Sequence, residues 1–154
     1  MNSRSAALLA MAILSSSLMA SSLMGCAAGS DPRESGPQTT TTIEMSYDDL
    51  LDQKNITRTL TLNLGDTLQI SLGSNPSTGF RWTPQMQITD ATVLAQAGHE
   101  VLGPSVARPG AAGREVWALQ AIGPGATTVS TTYGRPWSGG EKDSWTFSAE
   151  VTVD

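Results

Sequence analysis

Cysteine and histidine are nearly missing from this sequence, which has one of each, Cys26 and His99. A disulfide needs two thiols, so no internal staple is available and stability must come from a packed core. Zinc and related metals are held by Cys and His clusters, and here the carboxylates are scattered too, so no metal site is expected. The densest acidic group is Asp48, Asp49 and Asp52. It lacks the glycine and terminal Glu of a calcium loop, and reads as a solvated loop or a single helical turn. His99 has no nucleophile or carboxylate at suggestive spacing, so the chain is not expected to be an enzyme. No cofactor is implied, because no Gly-rich phosphate loop opens a helix. Nine Lys and Arg stand against 14 Asp and Glu, a formal net charge of −5, and no basic run exists. That balance excludes nucleic acid as a partner. No segment sustains a helical period.

What is present begins with an N-terminal signal. Arg4 supplies a positive start, Ala6 to Ala20 are apolar apart from serines, and Leu23-Met24-Gly25-Cys26 closes the segment. The run is too short and too weakly hydrophobic for a membrane span and reads as a secretory signal over residues 1–25. Its closing residues resemble a bacterial lipobox, with Met24 an uncommon occupant two before the cysteine. Cys26 is then the lipidated residue, and the chain is held extracytoplasmically on a bacterial membrane through its acyl chains. The alternative is an ordinary cleaved signal that leaves a free thiol. Residues 26–38, rich in Gly, Ser, Pro and charge, read as a flexible tether. The domain follows over residues 39–154.

From Thr39 onward, short strands alternate with turn signals. Thr39 to Met45 is β-prone, and Leu60, Leu62 and Leu64 alternate with polar residues, as do Leu68, Ile70 and Leu72. Phe80 to Ile88 continues as a strand that Pro84 makes an edge or a bulge. Ala91 to Val101 is weakly patterned, and Gly103 to Gly113 is a long loop. Arg114 to Ile122 and Thr127 to Tyr133 are strands. In the last strand Trp145, Phe147, Ala149, Val151 and Val153 face one way. Seven or eight such strands predict an all-β, immunoglobulin-like β-sandwich, with a closed barrel as the other architecture. Trp82 is its expected core residue.

Three loops carry distinctive content. In Asn75-Pro76-Ser77-Thr78-Gly79, Pro76 fixes its own φ and drives Asn75 towards an extended conformation, while Gly79 permits a turn other residues avoid. Ser77 and Thr78 make a small exposed tip. The second loop is Arg108-Pro109-Gly110-Ala111-Ala112-Gly113. The third, Tyr133 to Gly140, holds Arg135-Pro136-Trp137, a Trp beside an Arg as in binding hot spots. Trp137 also fits a lid folded over the sandwich end. Loops joining alternate strands gather at one end of a sandwich, so all three are expected together. A surface lipoprotein using these loops for peptide or cell-wall ligands without inhibition, or a purely structural envelope domain, fits the same residues.

Asn75-Pro76-Ser77-Thr78-Gly79-Phe80-Arg81-Trp82, the Gly110 to Gly113 loop and Arg135-Pro136-Trp137 together resemble the chagasin-like inhibitors of papain-type cysteine peptidases. The resemblance spans about Thr39 to Asp154. That family has an Asn-Pro-Thr-Thr-Gly-Tyr/Phe motif, a Gly-rich middle loop and an Arg-Pro-Trp motif on an immunoglobulin-like sandwich. The resemblance implies a monomeric, reversible inhibitor whose partner is a papain-like cysteine peptidase. It puts the loop of Asn75, Pro76, Ser77, Thr78 and Gly79 in the active-site cleft, with Phe80 also among the peptidase-binding residues. Gly110, Ala111, Ala112 and Gly113 would flank one side and Arg135, Pro136 and Trp137 the other. Ser77 departs from the family's Thr, and Gly-Ala-Ala-Gly from its denser glycine cluster.

Overall fold

The computed structural model describes residues 37–154. The expected signal segment 1–25, Cys26 and the tether as far as residue 36 lie outside the described residues. Strand β1 (Thr40–Met45) leads into a short helix, α1 (Tyr47–Asp52), and then β2 (Asn55–Leu62) and β3 (Thr67–Ser74). The strands β4 (Arg81–Trp82), β5 (Gln87–Ile88), β6 (Leu94–Leu102), β7 (Gly113–Ala121), β8 (Gly125–Gly134) and β9 (Trp145–Val153) follow. They form two sheets, β1-β3-β7-β6 and β2-β9-β8-β4, with β5 also paired to β8. This is the immunoglobulin-like sandwich that the strand pattern predicts, not a closed barrel.

The alternating apolar residues meet between the sheets. Leu68, Ile70 and Leu72 of β3 and Trp117 and Leu119 of β7 face Phe147, Ala149 and Val151 of β9, all of them buried. Trp82 is a core residue as expected. Its ring lies edge-on to Trp117 at 6.5 Å and tilted against Tyr133 at 5.0 Å. Both indole N–H groups are satisfied, Trp82 donating to the Gly73 carbonyl and Trp117 to that of Pro84, each at 2.9 Å. A buried indole without such an acceptor is penalised, so the two bonds fix ring orientation as well as burial.

Two differences from the sequence reading have local causes. The Phe80–Ile88 strand is split, because five residues lead from Trp82 to Gln87 where the partner strand advances only from Tyr133 back to Ser130. Pro84 sits in that bulge, and its carbonyl is taken by Trp117 and by the Gln96 side chain from the other sheet. Leu64 is not part of the alternation; β2 stops at Leu62 and Leu64 is exposed. Of the two forms expected for the segment with Asp48, Asp49 and Asp52, the structure takes the helical one, α1, opened by a capping box in which Ser46 and Asp49 exchange backbone and side-chain hydrogen bonds. The helix packs close to β3 at Gly73, where a Cβ would overlap the backbone of Ser46 and Tyr47.

At the end of the sandwich away from the distinctive loops, Asp66 closes the β2–β3 turn. Its carboxylate accepts from the backbone N–H of Thr39 and Asn63, both at 2.9 Å, and so also pins the start of β1. These bonds, Thr39 first, hold the Asp66 pKa below the ordinary carboxylate value. A depressed native pKa means stability that is full above the unfolded-state pKa and is lost as pH falls through the native one. Urea unfolding midpoints are therefore expected to drop as pH falls below about 5, and Asp66→Asn should flatten that dependence.

Candidate functional site

The β3–β4, β6–β7 and β8–β9 connections lie at one end, because Ser74 pairs with Gly113, Leu102 with Arg114, Arg81 with Gly134 and Tyr133 with Trp145. The three sequence-identified loops are therefore brought together. The β1–β2 connection, with α1, joins them at the same end.

The first loop is a helix cap compressed into five residues. Pro76–Thr78 form a single 3-10 turn with Asn75 at its N-cap and Gly79 closing it at φ +80°. Asn suits the N-cap, Pro the first helical position and Gly the left-handed residue after the turn, so each choice is local chemistry. Asn75 Oδ1 accepts from Ser77 N and from Ser77 Oγ, the latter at 2.6 Å. Thr78 Oγ1 donates to the Asn75 carbonyl at 2.7 Å. Both tip hydroxyls thus serve the loop itself. Pro76, Ser77 and Thr78 are exposed as expected, but Asn75 is buried. Asn75 serves as framework for the loop.

Asn75 also joins the loops. Its Nδ2 donates to the Gly110 carbonyl at 3.1 Å, and its backbone N–H donates to the Tyr133 hydroxyl at 2.9 Å. Burial first, then the neighbouring Tyr133, pushes the Tyr47 phenol pKa up, which puts α1 against the same cluster. In the middle loop Gly110 is exposed, while Ala111 and Ala112 are half-buried. Gly113 belongs to β7, where a Cβ would overlap the Leu102 carbonyl, so its small size serves sheet packing.

In the third loop the Arg135 guanidinium lies 4.6 Å over the Phe80 ring and 5.9 Å from the Trp137 ring. Phe80 in turn stacks on Tyr133 at 5.5 Å and meets Trp145 edge-on at 5.6 Å, so it is packed rather than presented. Lys142 Nζ closes the loop by donating to the carbonyls of Arg135 and Trp137 at 2.6 and 2.7 Å. Trp137 lies over Gly79, where a Cβ would overlap its ring, yet it stays 50 % exposed. It braces the first loop and still presents a face to solvent.

Residues that sequence reasoning missed lie underneath. Glu115, 3 % exposed, accepts from Ser74 Oγ at 2.9 Å and Trp82 N at 3.2 Å, and its other oxygen lies 3.0 Å from His99 Nε2. His99 is thus a structural partner of a carboxylate 16 positions away. A signal existed: Glu115 alternates in phase with Trp117, Leu119 and Ala121, an inward-facing charge on a buried strand face.

The family model described as "Chagasin family peptidase inhibitor I42" matches residues 61–151. Chagasin of Trypanosoma cruzi is 32% identical over 98 residues, spanning 62% of this chain and 89% of chagasin. Amoebiasin-2 of Entamoeba histolytica is 29% identical over 111 residues, spanning 68% of this chain and 84% of that protein. Among solved structures, the cysteine protease inhibitor EhICP2 from Entamoeba histolytica superposes with a TM-score of 0.59 at 20% identity, covering 77% of this chain and all of that one. PbICP-C, solved in complex with falcipain-2, superposes with a TM-score of 0.50 at 17% identity, covering 75% and 97%. These two likenesses support the fold.

Gly79→Ala should cost about 1–2 kcal/mol from the left-handed backbone alone. It should also push Trp137 outward. Urea unfolding reads the first effect, and a red shift of Trp137 emission against a Trp137→Phe background reads the second.

Proposed function

Because the chain belongs to the chagasin family of peptidase inhibitors, we propose that it is a reversible, non-covalent inhibitor of papain-type cysteine peptidases whose three-loop end enters the active-site cleft. Membership of that family makes it an inhibitor and not an enzyme. Support for the peptidase class comes from EhICP2, described as a cysteine protease inhibitor, and from PbICP-C, solved with falcipain-2. The observation that carries the mode of action is the closed first loop, whose tip hydroxyls are already bonded to Asn75. Pro76, Ser77, Thr78 and Gly79 are the wedge, a single capped 3-10 turn. Its shape is set before docking, so little loop entropy remains to be lost. Gly110, Ala111 and Ala112 flank one side with backbone, and Pro136 and Trp137 the other. Inhibition is by occlusion, from a monomer, across an interface of ordinary inhibitor size, about 800 Å² per partner.

The purified full-length chain is expected to inhibit papain or cathepsin L with one inhibitor per enzyme. Trp137→Ala should raise the inhibition constant about thirtyfold, as for an aromatic hot spot worth about 2 kcal/mol. No inhibition at micromolar protein would refute the proposal.

We also propose that Cys26 carries the lipid and that the domain acts at the extracytoplasmic face of a membrane. The support is the sequence Leu23-Met24-Gly25-Cys26 after an apolar segment. Intact-mass measurement of protein extracted from bacterial membranes should show acyl chains on Cys26; an unmodified cysteine there rejects it.

A further inference from the structure

Large exposed apolar side chains are unevenly distributed over the described residues. Leu51, Val101, Leu102, Val106 and Trp137 lie at the loop end, and Leu64 and Ile122 at the other. Trp137 accounts for one flank of the wedge. On the opposite flank, α1 and the β6–β7 loop enclose a cleft of about 600 Å³. Leu51 of α1 and Leu102 at the end of β6 line its walls, at 52 % and 37 % exposure. Gly110 and Ala112 line it as well, so the cleft shares the middle loop with the proposed peptidase contact. The Asn75–Gly110 hydrogen bond ties that shared loop to the wedge.

The charge at the rim is negative. Glu44 lines the cleft but is paired with Arg114 at 3.6 Å, whereas Asp48 makes no salt bridge among the described residues. The lining is mixed, with Ser46, Ser71 and Ser105 beside Leu51 and Leu102, and together with the Asp48 carboxylate it suits a side chain with a methylene stem and a cationic head. A purely apolar guest would leave Asp48 desolvated without a partner.

We propose that this cleft is a fourth contact element of the inhibitor, and that it receives a Lys or Arg side chain from the peptidase surface beside the active-site cleft. The proposal rests on the inhibitor reading above. α1 thereby acts as a specificity element: it favours peptidases with a basic residue on that flank and adds contact area where Trp137 cannot reach. Opposite charge at a rim acts mainly on the association rate and is screened by salt.

The test measures inhibition constants and association rates of the full-length chain against papain and cathepsin L, with thermal unfolding as the folding control. Leu51→Ser/Leu102→Ser should raise the inhibition constant about tenfold. Asp48→Lys should lower the association rate about tenfold at low salt, and the difference should shrink at high salt. Leu64→Ser/Ile122→Ser, at the far end, should change neither quantity. If the leucine pair matters and Asp48→Lys does not, the basic occupant is wrong. If neither matters while Trp137→Ala still weakens inhibition, the fourth contact is overturned and the inhibitor reading stands. Absence of inhibition by the unaltered chain overturns both.

Discussion

All the polar groups of Asn75 are used inside the protein, and the functional end depends on it. The side-chain oxygen accepts from the Ser77 backbone and hydroxyl, the side-chain nitrogen reaches Gly110, the backbone N–H meets Tyr133 and the carbonyl receives Thr78. One buried residue thus shapes the first loop, docks it to the second and anchors both on β8. Removing a partner of a buried polar group exposes the cost of desolvating what is left, about 1–3 kcal/mol for each. Substituting Asn75 would strand several partners at once. The tip is therefore held as a unit.

That unit stands on a polar foundation within an apolar core. Glu115 joins the residue before the loop, Ser74, to Trp82 of the next strand, and places His99 on its other oxygen. The split of the edge strand at Pro84 lets Trp82 turn inward to Gly73 while Arg81 stays outside, next to the third loop. From Phe80 through Arg135 to Trp137 the side chains stack in sequence, so the third loop leans on the first through a cation between two rings. Lys142 then ties the third loop's carbonyls together from outside. Three flexible connections become one rigid surface because each borrows hydrogen bonds or packing from its neighbour.

The sandwich was legible because strand alternation is local: Leu68, Ile70 and Leu72, or Phe147, Ala149 and Val151, declare an inward face without knowledge of what lies opposite. The first loop was legible for the same reason, since Asn, Pro and Gly impose their turn over five residues. Long-range side-chain contacts were not, because Asn75 to Gly110 between two loops and His99 to Glu115 between β6 and β7 link positions whose spacing carries no pattern. Asn75 and Phe80 read as contact residues from their motif, and the structure gives each a packing role that the motif does not show: Asn75 is buried and Phe80 is partly buried against Tyr133. The α1 helix was half visible. Ser46 and Asp49 form its capping box, but six residues are too few for a period to emerge, and tertiary packing on β3 completes it.

The same division of labour accounts for where this chain departs from its family's pattern. At Ser77 the hydroxyl matters to the fold, because it donates to Asn75 Oδ1; Ser keeps that bond and loses only the methyl that Thr would add at the exposed tip. In the middle loop the first loop needs the Gly110 carbonyl, a backbone group that any residue at Ala111 or Ala112 leaves in place. Gly113 leaves no room for a side chain, because a Cβ there would overlap the Leu102 carbonyl. Gly79, the glycine of the family's first motif, is demanded by the positive φ and by the face of Trp137. The departures at Ser77, Ala111 and Ala112 thus leave intact the hydrogen bonds that hold the first loop in shape and join it to the second.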